Sequence, residues 1–344
     1  MTQPWIKSPR FDGLFILLPP FAALAVVLLL PERFRSTDEM PVIAWVSLVL
    51  LIDVAHVYST LFRTYFDPAR FRPRRRLFLT IPLLCYAVGV GLYSLDAGWF
   101  WRVLAYLAVF HFVRQQYGFL RLYARTETAP RPYRQLDTVV IYTATLYPLL
   151  WWHLTPGRHF NWFVDGDFWQ TASPQTGIRT VLTALYVGLL LLYVAKEVRL
   201  YQTRRWINWP RNLLVAGTVL SWYAGIVLFN GDVAFTMLNV VAHGIPYIAL
   251  IWATSRPSRG VWASLLRSYG IVFFLSVLVL LAYLEEGLWD GLVWHEHPSV
   301  FGLFGQLPPV QTDVWLAWLV PLLSLPQSTH YVLDGFIWRN RPGG

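Results

Sequence analysis

The stretch PVIAWVSLVLLIDVAHVYSTLF, from Pro41 to Phe62, decides the fold class of this chain. Asp53 is the only Asp, Glu, Lys or Arg among its 22 residues. An α-helix crosses the hydrocarbon core of a bilayer with about 20 predominantly apolar residues. We therefore predict that this stretch is a membrane-spanning helix, with Asp53 and His56 inside the span.

Apolar runs of the same kind recur along the whole chain, and the composition agrees with them. Of the 344 residues, 56% are hydrophobic and 14% are charged, whereas a typical soluble domain is about 25% charged. We expect an all-α, polytopic transmembrane helical bundle of about ten spans, formed as one integral membrane domain over residues 1–344. The predicted spans are roughly 11–30, 41–62, 77–95, 99–120, 136–153, 178–195, 212–229, 233–253, 268–284 and 314–338.

The distribution of basic residues predicts how the bundle is oriented. With ten spans, the alternate loops and both termini on one side carry 22 Lys and Arg, and the opposite loops carry five. Cytoplasmic loops carry the excess of Lys and Arg, so we expect both termini in the cytoplasm, in what is most simply a bacterial inner membrane. The net charge of +9 then reflects topology and contact with anionic membrane lipid, and no nucleic-acid partner is expected.

Four of the eight histidines fall inside predicted spans, and they share one depth. His56, His111, His243 and His330 lie in the second, fourth, eighth and tenth spans, which all run from outside to inside. Counted back from the basic inner end of each span at 1.5 Å per residue, their heights agree to within roughly 10 Å. The pattern predicts four imidazoles in one layer of the cytoplasmic half of the membrane.

Each of these histidines has a polar residue one helical turn away on the same face. The companions are Asp53 before His56, Gln115 after His111, Asn239 before His243 and Asp334 after His330. An imidazole that binds metal usually donates its second N–H to a carboxylate or carbonyl, which fixes its tautomer and basicity. Polar residues within spans usually face the bundle interior. We therefore predict a metal site with the four histidines as ligands and Asp53, Gln115 and Asn239 supporting them.

Two further residues are candidates for chemistry, and each has an alternative explanation. Asp334 is expected either to orient His330 or to complete the coordination of the ion, in a catalytic role. Arg114 lies inside the fourth span and is expected to be catalytic or to bind an anion, unless it extends toward the inner surface. Hydrogen bonding between helices is the alternative explanation of every intramembrane histidine.

The histidine pattern resembles that of the Brp/Blh-type bacterial β-carotene cleavage dioxygenases, or of a related polytopic membrane family with intramembrane histidines. The resemblance rests on the four histidines, on Asp334, and on the His-Gly pair in AHGIPY, residues 242–247. The family's motif is similar to PHGxxD, and here no Asp follows the pair. The resemblance implies one iron held by histidines from separate helices, and oxidative cleavage of an isoprenoid.

These observations together predict a membrane-embedded, metal-dependent oxygenase that acts on a lipidic or isoprenoid substrate. Neutral imidazoles suit iron, zinc and copper, and non-haem iron is preferred because a dry intramembrane site suits oxygen chemistry on apolar molecules. Two alternatives remain open at this point. Two opposed histidines can hold a haem in an electron-transfer protein, and the intramembrane acids are also expected in a proton-coupled transporter.

Overall fold

The structure is a computed structural model, and it describes residues 2–255, 257 and 259–338. All regular secondary structure in this part of the chain is helical, and it contains no strand. Its longer helices are α1 (Pro9–Leu17), α2 (Pro19–Leu29), α3 (Val42–Arg63), α4 (Pro68–Leu95), α5 (Ala97–Tyr123), α6 (Arg131–His153), α7 (Thr176–Arg204), α8 (Trp209–Leu228), α9 (Asp232–Thr254), α10 (Val261–Trp294), α11 (Asp313–Leu323) and α12 (Leu325–Ile337). Arg256, Arg339 and Arg341, which contributed to the predicted charge asymmetry, lie outside the described residues.

Six of these helices, α3, α4 and α7 to α10, are long and apolar enough to cross a membrane. A seventh span results if α1 and α2, which meet at an angle of 46°, are counted as one. Such helices fit an integral membrane protein, so the all-α membrane class is confirmed, while the count of ten spans stays a prediction. The bend has a plain cause, because Pro19 and Pro20 lack the backbone N–H groups that would continue the helix.

The described helices group into two compact units, and the first consists of residues 1–40, 112–162 and 168–246. In it, α8 packs closely on α2. A Cβ atom placed on Gly217 of α8 would lie 2.6 Å from Cγ of Pro20 on α2. Only glycine, which has no side chain, allows this approach, as is common where helices associate inside a membrane.

A buried group of charges joins α6, α7 and α8 within this unit. Lys196 on α7 contacts Asp137 on α6, and its Nζ lies 2.6 Å from Glu197. Arg211 on α8 lies 2.7 Å from Glu127 and 3.2 Å from Asp137, and it also contacts Glu197. By sequence, Lys196 and Arg211 were counted among the charges of a cytoplasmic loop, yet they are 4% and 1% exposed. They are tolerated there because each cation has carboxylate partners.

The second unit consists of residues 41–111, 163–167 and 247–344. Its core lies between α3 and α10, where Phe62 and Phe274 pack with ring centroids 4.8 Å apart. Helix α3 changes its winding along its length: residues 46–54 form wide π-type turns and residues 60–63 form a tight 3₁₀ turn. Such π segments are rare and frequently mark functional sites, and here the wide segment ends two residues before His56.

The packing of α8 on α2 generates a test with a matched control. We expect Gly217→Ala to lower the unfolding temperature of the detergent-solubilised protein, because the added methyl overlaps Pro20 and overpacking costs about 1–3 kcal/mol. A Cβ atom added to Gly188 on α7 would meet open space, with no neighbouring atom within 4 Å. Gly188→Ala should therefore leave the unfolding temperature unchanged or raise it slightly. If Gly188→Ala lowered the unfolding temperature more than Gly217→Ala did, the close packing of α8 on α2 would be contradicted.

Candidate metal centre

Three histidines of the second unit, each from a separate helix, meet in one buried cluster. They are His56 on α3, His111 on α5 and His330 on α12, and each is at most 2% exposed. One ring nitrogen of each lies within 4.8 Å of those of the other two. Three of the residues that the sequence singled out therefore come together, and a buried histidine cluster of this kind can hold a metal ion. His243 on α9 belongs to the first unit and is 1% exposed, and its role as a fourth ligand stays a prediction.

Asp334 orients His111, although its spacing in the sequence predicted a pairing with His330 in the same helix. Its Oδ2 lies 3.3 Å from Nδ1 of His111. Its Oδ1 accepts hydrogen bonds from the Tyr247 hydroxyl at 2.9 Å and from Nε1 of Trp338 at 2.5 Å. Both carboxylate oxygens are thus engaged by protein groups. A carboxylate only accepts when ionised, so its place beside Nδ1 favours the His111 tautomer with its proton on Nδ1.

His330 is oriented by a residue that the sequence did not single out, Thr60 on α3. The Thr60 hydroxyl lies 2.7 Å from Nδ1 of His330 and 3.1 Å from the Tyr247 hydroxyl. Tyr247 gives its one hydroxyl proton to Asp334, so its oxygen accepts from Thr60. Thr60 then has no proton left to donate to His330 and must accept one from Nδ1. This order of donors places the His330 proton on Nδ1 as well.

The two remaining ring nitrogens face each other, and this contact defines the site. Nε2 of His111 and Nε2 of His330 are 3.1 Å apart. With both protons on Nδ1, each Nε2 presents a lone pair that can bind a cation; with one proton on Nε2, the same contact is a hydrogen bond between the two rings. At metal–nitrogen bonds of about 2.0–2.1 Å, two neighbouring ligands of one ion are about 3 Å apart. The observed spacing is that of two ligands placed for one metal ion.

His56 completes the cluster of the second unit. Its ring centroid is 5.0 Å from that of His330. Its Nδ1 lies 3.6 Å from Oδ1 of Asp53, one turn earlier on α3. Asp53 thus lies beside the histidine that the spacing predicted.

His243 is held within the first unit by contacts on two sides. Its ring stacks on Phe112 with centroids 3.5 Å apart and planes at 7°. Its backbone carbonyl accepts a hydrogen bond of 3.0 Å from Nε2 of Gln115. Gln115, expected beside the His111 ring, therefore supports the backbone of α9. Asn239, expected to orient His243, donates its amide to the carbonyl of Phe235 at 2.9 Å.

Arg114 lies on the exposed face of α5. Its guanidinium group donates to the Tyr142 hydroxyl and lies 5.0 Å from the centre of the Tyr117 ring. These neighbours belong to a tyrosine-lined surface of the first unit. They lend no support to the catalytic role predicted for Arg114, which stays a prediction.

A buried glutamate in the second unit was not among the residues predicted from the sequence. Glu285 on α10 is 5% exposed. Its Oε2 accepts a hydrogen bond of 2.5 Å from the Tyr58 hydroxyl, and its Oε1 accepts one of 3.1 Å from Nε2 of Gln327. Tyr58 follows His56 by two residues and Gln327 precedes His330 by three, so this carboxyl group is tied to two of the ligand-bearing helices. The predicted span ended at residue 284, one position too early to include it.

No family model, curated protein or solved structure matches the chain. The relationship to the carotenoid-cleaving dioxygenases therefore stays a prediction, and the geometry of the cluster is what bears on function.

Metal content tests the assignment of the four ligands. Replacement of any one of His56, His111, His243 and His330 by Ala should strongly reduce the metal bound per protein, measured by elemental analysis, while the protein still inserts into the membrane. His159→Ala serves as the control because His159 is exposed and belongs to a loop, and it should keep the wild-type metal content. Wild-type content in all four variants would leave hydrogen bonding between helices as the explanation of the cluster.

The role of Thr60 is tested by a substitution that keeps its shape. We expect Thr60→Val to weaken metal affinity by roughly 10–100-fold, as for other residues that orient metal ligands, because Nδ1 of His330 loses its acceptor. Thr60→Ser retains a hydroxyl and should bind metal nearly as the wild type does. Equal affinities of the Val and Ser variants in a competition assay with a chelator would disprove the proton assignment given above.

Proposed function

We propose that the chain is an integral membrane oxygenase that uses one non-haem metal ion, most simply iron, to oxidise a lipidic or isoprenoid substrate. The observation that carries the proposal is the 3.1 Å approach of Nε2 of His111 to Nε2 of His330. Both rings have their Nδ1 atoms engaged by Asp334 and Thr60. Two buried neutral imidazoles held in this way form a ligand pair for a transition metal.

The spacing of this pair favours a non-haem ion over a haem. Axial imidazoles of a haem lie on opposite faces of the macrocycle, with their nitrogens about 4 Å apart, which is twice a metal–nitrogen bond. The 3.1 Å between the two Nε2 atoms suits two adjacent ligands of one ion instead. Iron bound at such a site supplies the redox chemistry that activates molecular oxygen. Zinc fits the same imidazoles but does not undergo redox change.

The chain's own residues have defined tasks in this proposal. Asp334 and Thr60 keep the His111 and His330 protons on Nδ1, so that their Nε2 lone pairs stay available. Tyr247 links these two orienting residues through its hydroxyl. Trp338, over which the Arg63 guanidinium lies at 3.7 Å, covers the carboxylate of Asp334. Asp334 itself is 8% exposed, so little water competes for its carboxylate, and Asp334 acts as a positioning residue for His111.

The proposal includes the orientation of the chain in the membrane. We place ten spans in a bacterial inner membrane with both termini in the cytoplasm, on the strength of the 22 basic residues on one side against five on the other. The cluster then lies in the cytoplasmic half of the bilayer. An apolar substrate would reach it sideways from the inner leaflet, as the proposed relationship to isoprenoid-cleaving enzymes also suggests.

Oxygen consumption tests the reaction class. The protein, purified without oxygen and loaded with iron, should consume oxygen when membrane lipid extract or carotenoid is added, and His330→Ala should not. Asp334→Asn should lower turnover more than it lowers protein abundance, because the amide no longer fixes the His111 tautomer. Turnover is measured with an oxygen electrode, and protein abundance is measured by immunoblot of the same membranes.

A visible spectrum of the same preparation separates the alternatives. We expect that no Soret band appears. A Soret band that is lost in His330→Ala would establish a haem protein. Iron-loaded protein that consumes no more oxygen than His330→Ala with every lipid fraction, yet moves protons in liposomes, would establish a transporter in its place.

A further inference from the structure

A basic groove opens between the second half of α5 and the first half of α6, within the first unit. Its volume is about 640 Å³, within the range of about 300–1,000 Å³ that is typical of ligand sites. It is lined by Tyr117, Arg121, Arg131, Arg134, Thr138 and Val139, among others. The metal centre uses none of these residues.

Three arginines in the groove lack partners of opposite charge. In the described part of the chain, no hydrogen bond or ion pair involves the guanidinium groups of Arg121, Arg131 and Arg134. The two nearest carboxylates in sequence, Glu127 and Asp137, are bound by Arg211 in the buried charge network. They cannot also neutralise the groove, so its positive charge is available to a ligand.

The groove continues toward the apolar part of the helices along a wall of tyrosines. The Tyr117 and Tyr142 rings stack with centroids 5.3 Å apart, and Arg114 joins them by donating to the Tyr142 hydroxyl. Val139 in the groove is 49% exposed. Positive charge at one end thus gives way to exposed apolar surface at the other.

We propose that this groove binds an anionic phospholipid, with its phosphate on Arg121, Arg131 and Arg134 and an acyl chain along Tyr117 and Val139. Guanidinium groups match phosphate oxygens with paired hydrogen bonds. Basic clusters at the end of a membrane helix attract anionic headgroups. A free phosphate satisfies the arginines alone, whereas a lipid also covers the exposed apolar wall, which is why the lipid is the occupant. Lipid binding here does not depend on the reaction proposed for the metal centre.

Native mass spectrometry of the detergent-purified full chain, titrated with phosphatidylglycerol or phosphatidylcholine, tests this site. The variant Arg121→Gln/Arg131→Gln/Arg134→Gln should bind phosphatidylglycerol roughly tenfold or more weakly than wild type, because each basic residue near the surface contributes to binding. The control is Arg72→Gln/Arg75→Gln/Arg76→Gln, which removes the same charge from exposed positions around the start of α4. It should retain wild-type binding.

Three outcomes would overturn the proposal. If the two triple variants lost the same affinity for phosphatidylglycerol, binding would depend only on the total charge of the protein and not on this groove. If the wild type bound phosphatidylcholine as tightly as phosphatidylglycerol, the groove would not distinguish lipids by headgroup charge. Displacement of phosphatidylglycerol by millimolar inorganic phosphate would identify a soluble anion as the ligand.

Discussion

The relay of hydrogen bonds from His330 through Thr60 and Tyr247 to Asp334 is the constraint on which the candidate metal centre depends. It joins α12 to α3 and α9 and ends on the carboxylate that also lies beside Nδ1 of His111. Because each hydroxyl has a single proton, the direction of donation at one end fixes the direction at the other. The relay therefore sets the His330 tautomer, and the carboxylate at its end favours a proton on Nδ1 of His111. The Nε2 atoms of the two rings converge to 3.1 Å, the spacing of two neighbouring ligands of one cation.

Burial explains why these polar groups are arranged in closed networks. An unpaired charge or polar group inside an apolar bundle costs several kcal/mol, so each buried one in these networks has partners. Asp334 has contacts at both of its oxygens, and Glu285 is held by Tyr58 and Gln327. In the first unit, Lys196 and Arg211 share three carboxylates in the same way. The arginines of the lipid groove have no such partners, and they are exposed.

The candidate ligands could be predicted from the sequence better than the residues that orient them, and the reason is geometric. Four histidines at one depth follow from span boundaries and helical rise, so His56, His111, His243 and His330 could be found by counting. Spacing within a helix shows which residues share a face, and this placed Asp53 beside His56 correctly.

Spacing cannot show which neighbouring helix a side chain reaches, so Asp334 was paired with His330 although it lies beside His111. Thr60 follows His56 by four residues, which places it on the face of His56 but does not show its contact with His330 on α12. Glu285 lies on a helix without any of the four histidines, so no spacing pointed to it. Their roles appear only when α3, α10 and α12 are packed together.

X-ray absorption at the metal K-edge of the purified, metal-loaded protein tests the central claim most directly. We expect a nitrogen shell at about 2.0–2.2 Å with the outer-shell scattering of several imidazole rings, and a loss of imidazole scattering in His111→Ala and His330→Ala. A spectrum with only oxygen ligands and no imidazole scattering, or one unchanged by both substitutions, would contradict it.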